Sequence, residues 1–187
     1  MLNEDQLEEA EGAGEVMKIV EFLKVAKDED QAESALDAIL RLSAVRGEGV
    51  EGSGAALEVS ITSNVLNVLE KYAEEAPVVE VALGCVKNLV TALTQTHSDE
   101  VLSRAAKLTI AAMLQHGDAG EPTLMEQGCL ALSAMATFSM SAAETMEDSC
   151  VNVALDAAAE SIENERNKKY PVETKAHIAA MMSGNGI

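Results

Sequence analysis

Aromatic side chains and proline are scarce in this sequence. It has two phenylalanines, two tyrosines, no tryptophan and only three prolines among 187 residues, whereas 30 residues are alanine. Alanine favours helices, while strands prefer β-branched and aromatic residues. The composition therefore argues against an all-β fold and predicts an all-α protein of closely packed helices.

Basic residues are scarce as well, because 13 lysines and arginines face 32 aspartates and glutamates and leave a formal charge of −19. A field of this sign repels nucleic-acid phosphates and anionic lipids, so we expect neither nucleic acid nor membrane as a partner. No apolar run reaches the roughly 18 residues of a membrane span. The acidic start, MLNEDQLEEAEGAGE, differs from a basic signal or transit peptide. These features predict a cytoplasmic or nuclear protein.

Catalytic and metal-binding patterns are also lacking. The three histidines, at positions 97, 116 and 177, form no HExxH or paired arrangement, and we expect them to be solvated or to cap helices. The three cysteines, at positions 85, 129 and 150, form no CxxC pair and lie in apolar helical contexts, which predicts buried reduced thiols. An EF-hand loop from Asp28 fails because Glu33 and Ile39 stand where glycine and glutamate are required. We expect no cofactor, no metal and no catalytic residue.

A repeat of about 46 residues organises most of the chain. Four segments align without gaps, at residues 31–42, 78–89, 124–135 and 171–182, and each carries a glutamate at the same place. Three apolar columns follow the glutamate at spacings that cover one side of a helix. Their members are Leu36, Leu83, Cys129 and Ala176; Ile39, Val86, Leu132 and Ala179; and Leu42, Leu89, Met135 and Met182. These columns predict the buried side of four equivalent helices.

A second helical pattern precedes each of these helices, and breakers separate the helices. The breakers include the glycine-rich residues 47–54, which lack the Lys-Ser or Lys-Thr of a phosphate loop and predict a flexible connector. We therefore predict an acidic N-terminal arm over residues 1–14. Repeats of helix pairs follow at about residues 15–46, 57–96, 97–139 and 140–187.

The segment EQGCLALSAM, residues 126–135, resembles the third-helix signature of armadillo repeats, Glu-x-Ala-Cys-x-Ala-Leu-x-Asn-Leu, and VALGCVKNL, residues 81–89, is a weaker copy. The resemblance implies a right-handed α-solenoid of about four stacked armadillo-like repeats. In that family the third helices line a concave groove that binds extended peptides or partner domains. HEAT repeats remain an alternative, because the short first helix of an armadillo unit is not evident in this sequence.

The resemblance also assigns groove positions. Peptide-binding members carry a ladder of tryptophan and asparagine there, and this chain instead has Asp37 and Arg41, Gly84 and Asn88, Leu130 and Ala134, and His177 and Met181. Only Asn88 matches the ladder. A nuclear-import receptor that stacks basic signals on tryptophan is therefore not supported.

The column of glutamates gives the sharpest functional hypothesis. Glu33, Glu80, Glu126 and Glu173 lie opposite the apolar columns, so they are predicted to face the groove as a ladder that meets lysine or arginine of a peptide. A structural explanation competes with this one. Asp30-x-x-Glu33 and Thr123-x-x-Glu126 fit capping boxes, and prolines mark two of the helix starts.

We expect a non-catalytic scaffold or adaptor that presents the groove to a protein or an extended, basic peptide. The candidate groove residues are Glu33, Asp37, Arg41, Glu80, Asn88, Glu126, Leu130, Glu173, His177 and Met181. A structural subunit that docks through its last repeat is one alternative, because the apolar columns of that repeat have no following unit and favour self-association. A helical hydrolase or transferase is a more remote alternative.

Overall fold

The computed structural model describes residues 4–45, 55–92, 97–117 and 120–184, and ten α-helices account for 83% of them. No strand occurs in these ranges, which confirms the all-α prediction. The helices are α1 (Glu4–Gly12), α2 (Val16–Val25), α3 (Glu29–Val45), α4 (Ala55–Lys71), α5 (Ala76–Ala92), α6 (Asp99–His116), α7 (Pro122–Phe138), α8 (Met140–Asp148), α9 (Val151–Ser161) and α10 (Tyr170–Met182). Among the described residues, no helix combines the length and apolar character needed to cross a bilayer.

Local sequence signals set several helix boundaries. Pro122 opens α7 and Pro171 lies in the first turn of α10, where a missing amide hydrogen costs nothing. Ser98 caps α6, because its hydroxyl accepts a hydrogen bond from the Val101 amide at 3.3 Å. Ser139 ends α7 and caps α8 through the Ala142 amide, so one residue both stops one helix and starts the next.

The four helices that carry the sequence repeat, α3, α5, α7 and α10, are called the repeat helices below. They pack side by side in chain order, α3 on α5, α5 on α7 and α7 on α10. A second set lies against them, with α2 on α3, α4 on α5, α6 on α7, and α8 and α9 on α10. The core lies between the two sets, where the apolar columns of α3, α5 and α7 are almost entirely buried.

Side chains also link neighbouring repeat helices through hydrogen bonds. The Cys85 thiol donates to the Leu36 carbonyl at 3.3 Å, and the Thr174 hydroxyl donates to the Cys129 carbonyl at 3.0 Å. Leu36 and Cys129 occupy the same column of the repeat, so two donors on different helices use equivalent acceptors.

Small residues allow one close approach between the two sets of helices. A Cβ atom built on Gly128 of α7 would lie 2.6 Å from Sδ and 2.7 Å from Cγ of Met113 on α6. Met113 is fully buried, so its side chain fills the space that the glycine leaves.

The two ends of the chain contain more helix than predicted. The acidic N-terminal segment forms α1, whose Leu7 and Ala10 are buried against α2 and α3. The last unit has three helices, α8, α9 and α10, where the sequence pattern predicted a pair. The connector predicted at residues 47–54 lies outside the described residues.

Candidate functional site

Three glutamates converge near the N-terminal ends of three repeat helices. Glu33 of α3, Glu80 of α5 and Glu121, which precedes α7, line an open recess of about 180 Å³. Ala76, Pro77 and Val81 complete its lining. We call this feature, with its six residues, the acidic recess. Residues near the starts of α3 and α5 meet at this recess, whereas Ser43 and Asn88, near the ends of the same helices, are joined by a hydrogen bond, so α3 and α5 run in the same direction.

The electrostatics of the acidic recess are unfavourable in the free protein. Partial burial raises the pKa of the Glu80 carboxyl above its ordinary value, and the nearby charges of Glu121 and Glu33 raise it further. No ion pair to any of the three carboxylates is present among the described residues. The recess therefore concentrates negative charge that no ion pair with another described residue neutralises.

The predicted ladder of four glutamates is divided in the structure. Glu33 and Glu80 share the recess, whereas Glu126 accepts a hydrogen bond from Asn167 Nδ2 at 2.8 Å. Glu173 lies 3.3 Å from the ammonium of Lys169, the residue just before α10. Two members of the column are thus available to a ligand, and two are engaged by neighbours within the chain.

The two capping boxes of the structural explanation are wrong, whereas its prolines do lie at helix starts, in the first turns of α5 and α10 just before Glu80 and Glu173. Asp28 caps α3 by accepting from the Gln31 amide at 3.0 Å, and Asp30 lies inside the first turn. Thr123 is the second residue of α7, so it cannot serve as the N-cap that the capping box requires. Glu121 occupies the N-cap position of α7 and makes no side-chain capping bond.

The other candidate groove residues mostly contact neighbouring helices. The guanidinium of Arg41 binds both carboxylate oxygens of Glu11 on α1, at 2.5 and 2.9 Å, and lies 4.0 Å from Asp37. Asn88 donates to the Ser43 hydroxyl at 3.2 Å. These side chains are placed by contacts within the chain rather than left free for a ligand.

The C-terminal half of the candidate surface is more apolar. His177 Nδ1 lies 2.5 Å from the hydroxyl of Ser133 on the neighbouring repeat helix. Leu130 and Met181 are half-buried. The candidate surface therefore changes from strongly acidic at the recess to largely neutral at α10.

The histidines are not solvated caps, contrary to the prediction. His116 is buried at the end of α6, and its Nε2 lies 2.8 Å from the Ala73 carbonyl. His97 Nε2 lies 2.8 Å from the hydroxyl of Thr62 on α4. With the bond between His177 and Ser133, each histidine links two separate parts of the fold.

The cysteines follow the prediction only in part. Cys85 and Cys129 are buried, and burial raises the pKa of both thiols, that of Cys129 to about 12. Cys150 is exposed, in the turn between α8 and α9, with a left-handed backbone at φ 62°. Its burial was predicted wrongly, because the apolar residues around it belong to the helix that begins one position later.

Sequence reasoning missed Glu121. It lies outside the aligned repeat segments, but it directly precedes a proline that starts a helix, as Ala76 precedes Pro77. An alignment of the two helix-starting prolines would have predicted that Glu121 and Ala76 lie at the same edge of the molecule. No group of three or more potential metal ligands occurs in the part of the chain that the structure describes.

Comparison with known protein families, with curated proteins and with solved structures finds no match to this chain. The armadillo-like resemblance therefore remains a prediction that rests on the repeat residues.

Proposed function

We propose that this chain is a short right-handed α-solenoid of the armadillo type and a non-catalytic scaffold that binds a basic segment of a protein partner at the acidic recess. The observation that carries the proposal is the group of three carboxylates, Glu33, Glu80 and Glu121, around an open recess without a compensating cation among the described residues. A lysine or arginine of the partner would supply that cation.

The order of helix contacts supports the solenoid. Each repeat helix packs on the next one in the chain, and each is backed by the helix or helices before it, as expected for stacked units. Two short helices, α1 and α8, precede α2 and α9. They correspond in position to the short first helix of an armadillo unit, which favours armadillo over HEAT in the first and last units.

Charge arithmetic favours a cationic ligand. A helix N-terminus contributes about half a positive charge, so the three helix starts offset at most about half of the three carboxylates. Each exposed ion pair with a partner would contribute up to about 1 kcal/mol, and more where the partner side chain enters the recess. Because such pairs are screened by salt, binding should weaken as ionic strength rises.

The test is fluorescence anisotropy with a labelled ten-residue peptide of alternating lysine and alanine. We expect binding at 50 mM salt, and the double variant Glu80→Gln, Glu121→Gln should weaken it at least about tenfold, which corresponds to about 1.4 kcal/mol. The matched control is Glu144→Gln, Glu147→Gln, which removes the same charge from exposed positions of α8. The control should bind the peptide almost as well as the original chain.

A further single variant separates the recess from the predicted ladder. Glu126→Gln should leave peptide binding almost unchanged, because Glu126 does not line the acidic recess and its side chain is held by Asn167 instead. Equal losses in the recess variant and in the α8 control would show that net charge, rather than this site, attracts the peptide. That result would contradict the proposal.

A further inference from the structure

The carboxylates of the acidic recess differ from the other half-buried carboxylates of the chain. Six aspartates and glutamates are half-buried among the described residues. Three of them are held by a neighbouring side chain, either Arg41 or Asn167; they are Glu11, Asp37 and Glu126. The other three line the acidic recess and form no hydrogen bond or ion pair with a described residue; they are Glu33, Glu80 and Glu121. The half-buried carboxylates that lack a partner in the described ranges therefore all meet in one recess.

The size and lining of the recess suit one long side chain. Pockets for small-molecule ligands usually hold about 300–1,000 Å³, whereas the recess holds about 180 Å³. Beside the carboxylates it has an apolar lining of Ala76, Pro77 and Val81. Arginine and lysine both carry a methylene stem that packs on apolar surface while the charged end reaches a polar site. The recess therefore fits a basic side chain that enters end-on.

The arrangement of the carboxylates distinguishes between the two basic side chains. Glu33, Glu80 and Glu121 come from three different parts of the chain, and they are not among any described group that could hold one metal ion. The ammonium of lysine is also a compact point charge, so it meets separated carboxylates poorly. The guanidinium of arginine is planar and carries five N–H donors that point in different directions. It can therefore donate to carboxylates from more than one helix at the same time.

We propose that the acidic recess binds a single arginine side chain of the partner and discriminates against lysine. This inference rests on the proposed function, because it names the residue that the basic segment presents to the recess. The methylene stem of the arginine packs on Pro77 and Val81, and its guanidinium donates to the carboxylates. Its positive charge offsets the repulsion that Glu33 and Glu121 exert on ionised Glu80.

Fluorescence anisotropy at 50 mM salt with three labelled peptides of equal charge tests the proposal. The reference is the ten-residue peptide of alternating lysine and alanine, and the second peptide has arginine in place of its central lysine. The third carries there an arginine analogue whose stem is two methylene groups shorter. We expect the arginine peptide to bind about tenfold more tightly than the reference. The analogue should lose most of this gain, because its short stem cannot span the apolar lining.

Variants of the protein locate the preference for arginine. Glu80 belongs to α5, which packs against both α3 and α7, so Glu80→Gln removes the carboxylate nearest to the other two. The arginine and lysine peptides should then bind this variant within about twofold of each other. Glu126→Gln removes the same charge outside the recess and is the matched control. It should retain the full difference between the two peptides.

The arginine site and the scaffold proposal can fail separately. Equal binding of the lysine and arginine peptides by the original chain would overturn the arginine site and leave the scaffold proposal intact. A preference for arginine that persists in Glu80→Gln would do the same. Absence of binding by all three peptides would overturn both proposals. Replacing the remaining lysines by arginine should add little, because the recess takes one side chain, and an equal gain from each replacement would contradict a single site.

Discussion

Replacing glycine by alanine at two interior positions of the repeat helices should have opposite effects on stability. Gly128 in α7 and Gly84 in α5 are both interior helix positions, where alanine is favoured over glycine by about 1 kcal/mol. The surroundings differ. The new Cβ at position 128 would lie 2.6 Å from Met113 Sδ, whereas at position 84 the closest atom is a terminal methyl of Leu40, 3.2 Å away.

The magnitudes follow from these distances. Met113 is fully buried and would have to move its Cγ and Sδ atoms, an overpacking cost of about 3 kcal/mol. The net destabilisation of Gly128→Ala is then about 2 kcal/mol, which lowers Tm by about 4–8 °C in a chain of this size. Leu40 is only half-buried and can shift by a few tenths of an ångström, so Gly84→Ala should stabilise the protein by about 0.5 kcal/mol.

Thermal and urea unfolding monitored by circular dichroism measure both effects. A double-mutant cycle with Met113→Ala tests the cause, because in the shortened background Gly128→Ala should cost much less or become stabilising. If Gly128→Ala were as stable as Gly84→Ala, or if its cost persisted after Met113 was shortened, the packing argument would be refuted.

Three further predictions concern buried polar groups, thiols and pH. The buried hydroxyl of Thr109 has no hydrogen-bond partner among the described residues, so Thr109→Val should raise the free energy of unfolding by about 1 kcal/mol. Thr174→Val removes a donor whose one hydrogen is shared between the Cys129 and Tyr170 carbonyls, and it should lower the free energy of unfolding by a similar amount; urea unfolding measures both changes. A thiol reagent should modify one cysteine rapidly in the native protein, and Cys150→Ser should abolish that phase. The pKa of Glu80 is higher in the folded state than in the unfolded state, so ionisation of its carboxyl lowers the stability at pH values above the folded-state pKa and has no effect below the unfolded-state pKa. Glu80→Gln should therefore be more stable than the original chain at pH 7 by up to about 0.5 kcal/mol, and this advantage should vanish towards pH 4.

The apolar columns were the part of the fold that the sequence predicted best. Their spacing reports burial on one side of a helix, and eight of the twelve members are buried against neighbouring helices. The remaining exposed members lie on α10, apart from the half-buried Leu42. Periodicity indicates which side of a helix is apolar, but it does not indicate whether another helix lies against it.

The histidines and Glu121 show what such patterns miss. His116 contacts the carbonyl of Ala73, 43 residues earlier in the chain, and Glu121 lies beside residues at the starts of α3 and α5. Neither contact leaves a local signal, because both depend on how distant segments meet after folding. The repeat predicted which helices carry the candidate surface. Its division into an acidic recess and a neutral end depends on partners such as Asn167, which lie outside the aligned segments.

The hydrogen bonds from Cys85 and Thr174 to backbone carbonyls have a mechanical consequence. Close packing of aliphatic side chains already resists sliding of two helices along their axes, but it is not directional and it tolerates small readjustments. A bond to one particular carbonyl is lost after a shift of even one residue, about 1.5 Å. These two donors, with the bonds from Asn88 to Ser43 and between His177 and Ser133, therefore add a directional constraint to the axial position of α5 against α3 and of α10 against α7. In the first pair this constraint helps to hold Glu33 and Glu80 together at the acidic recess.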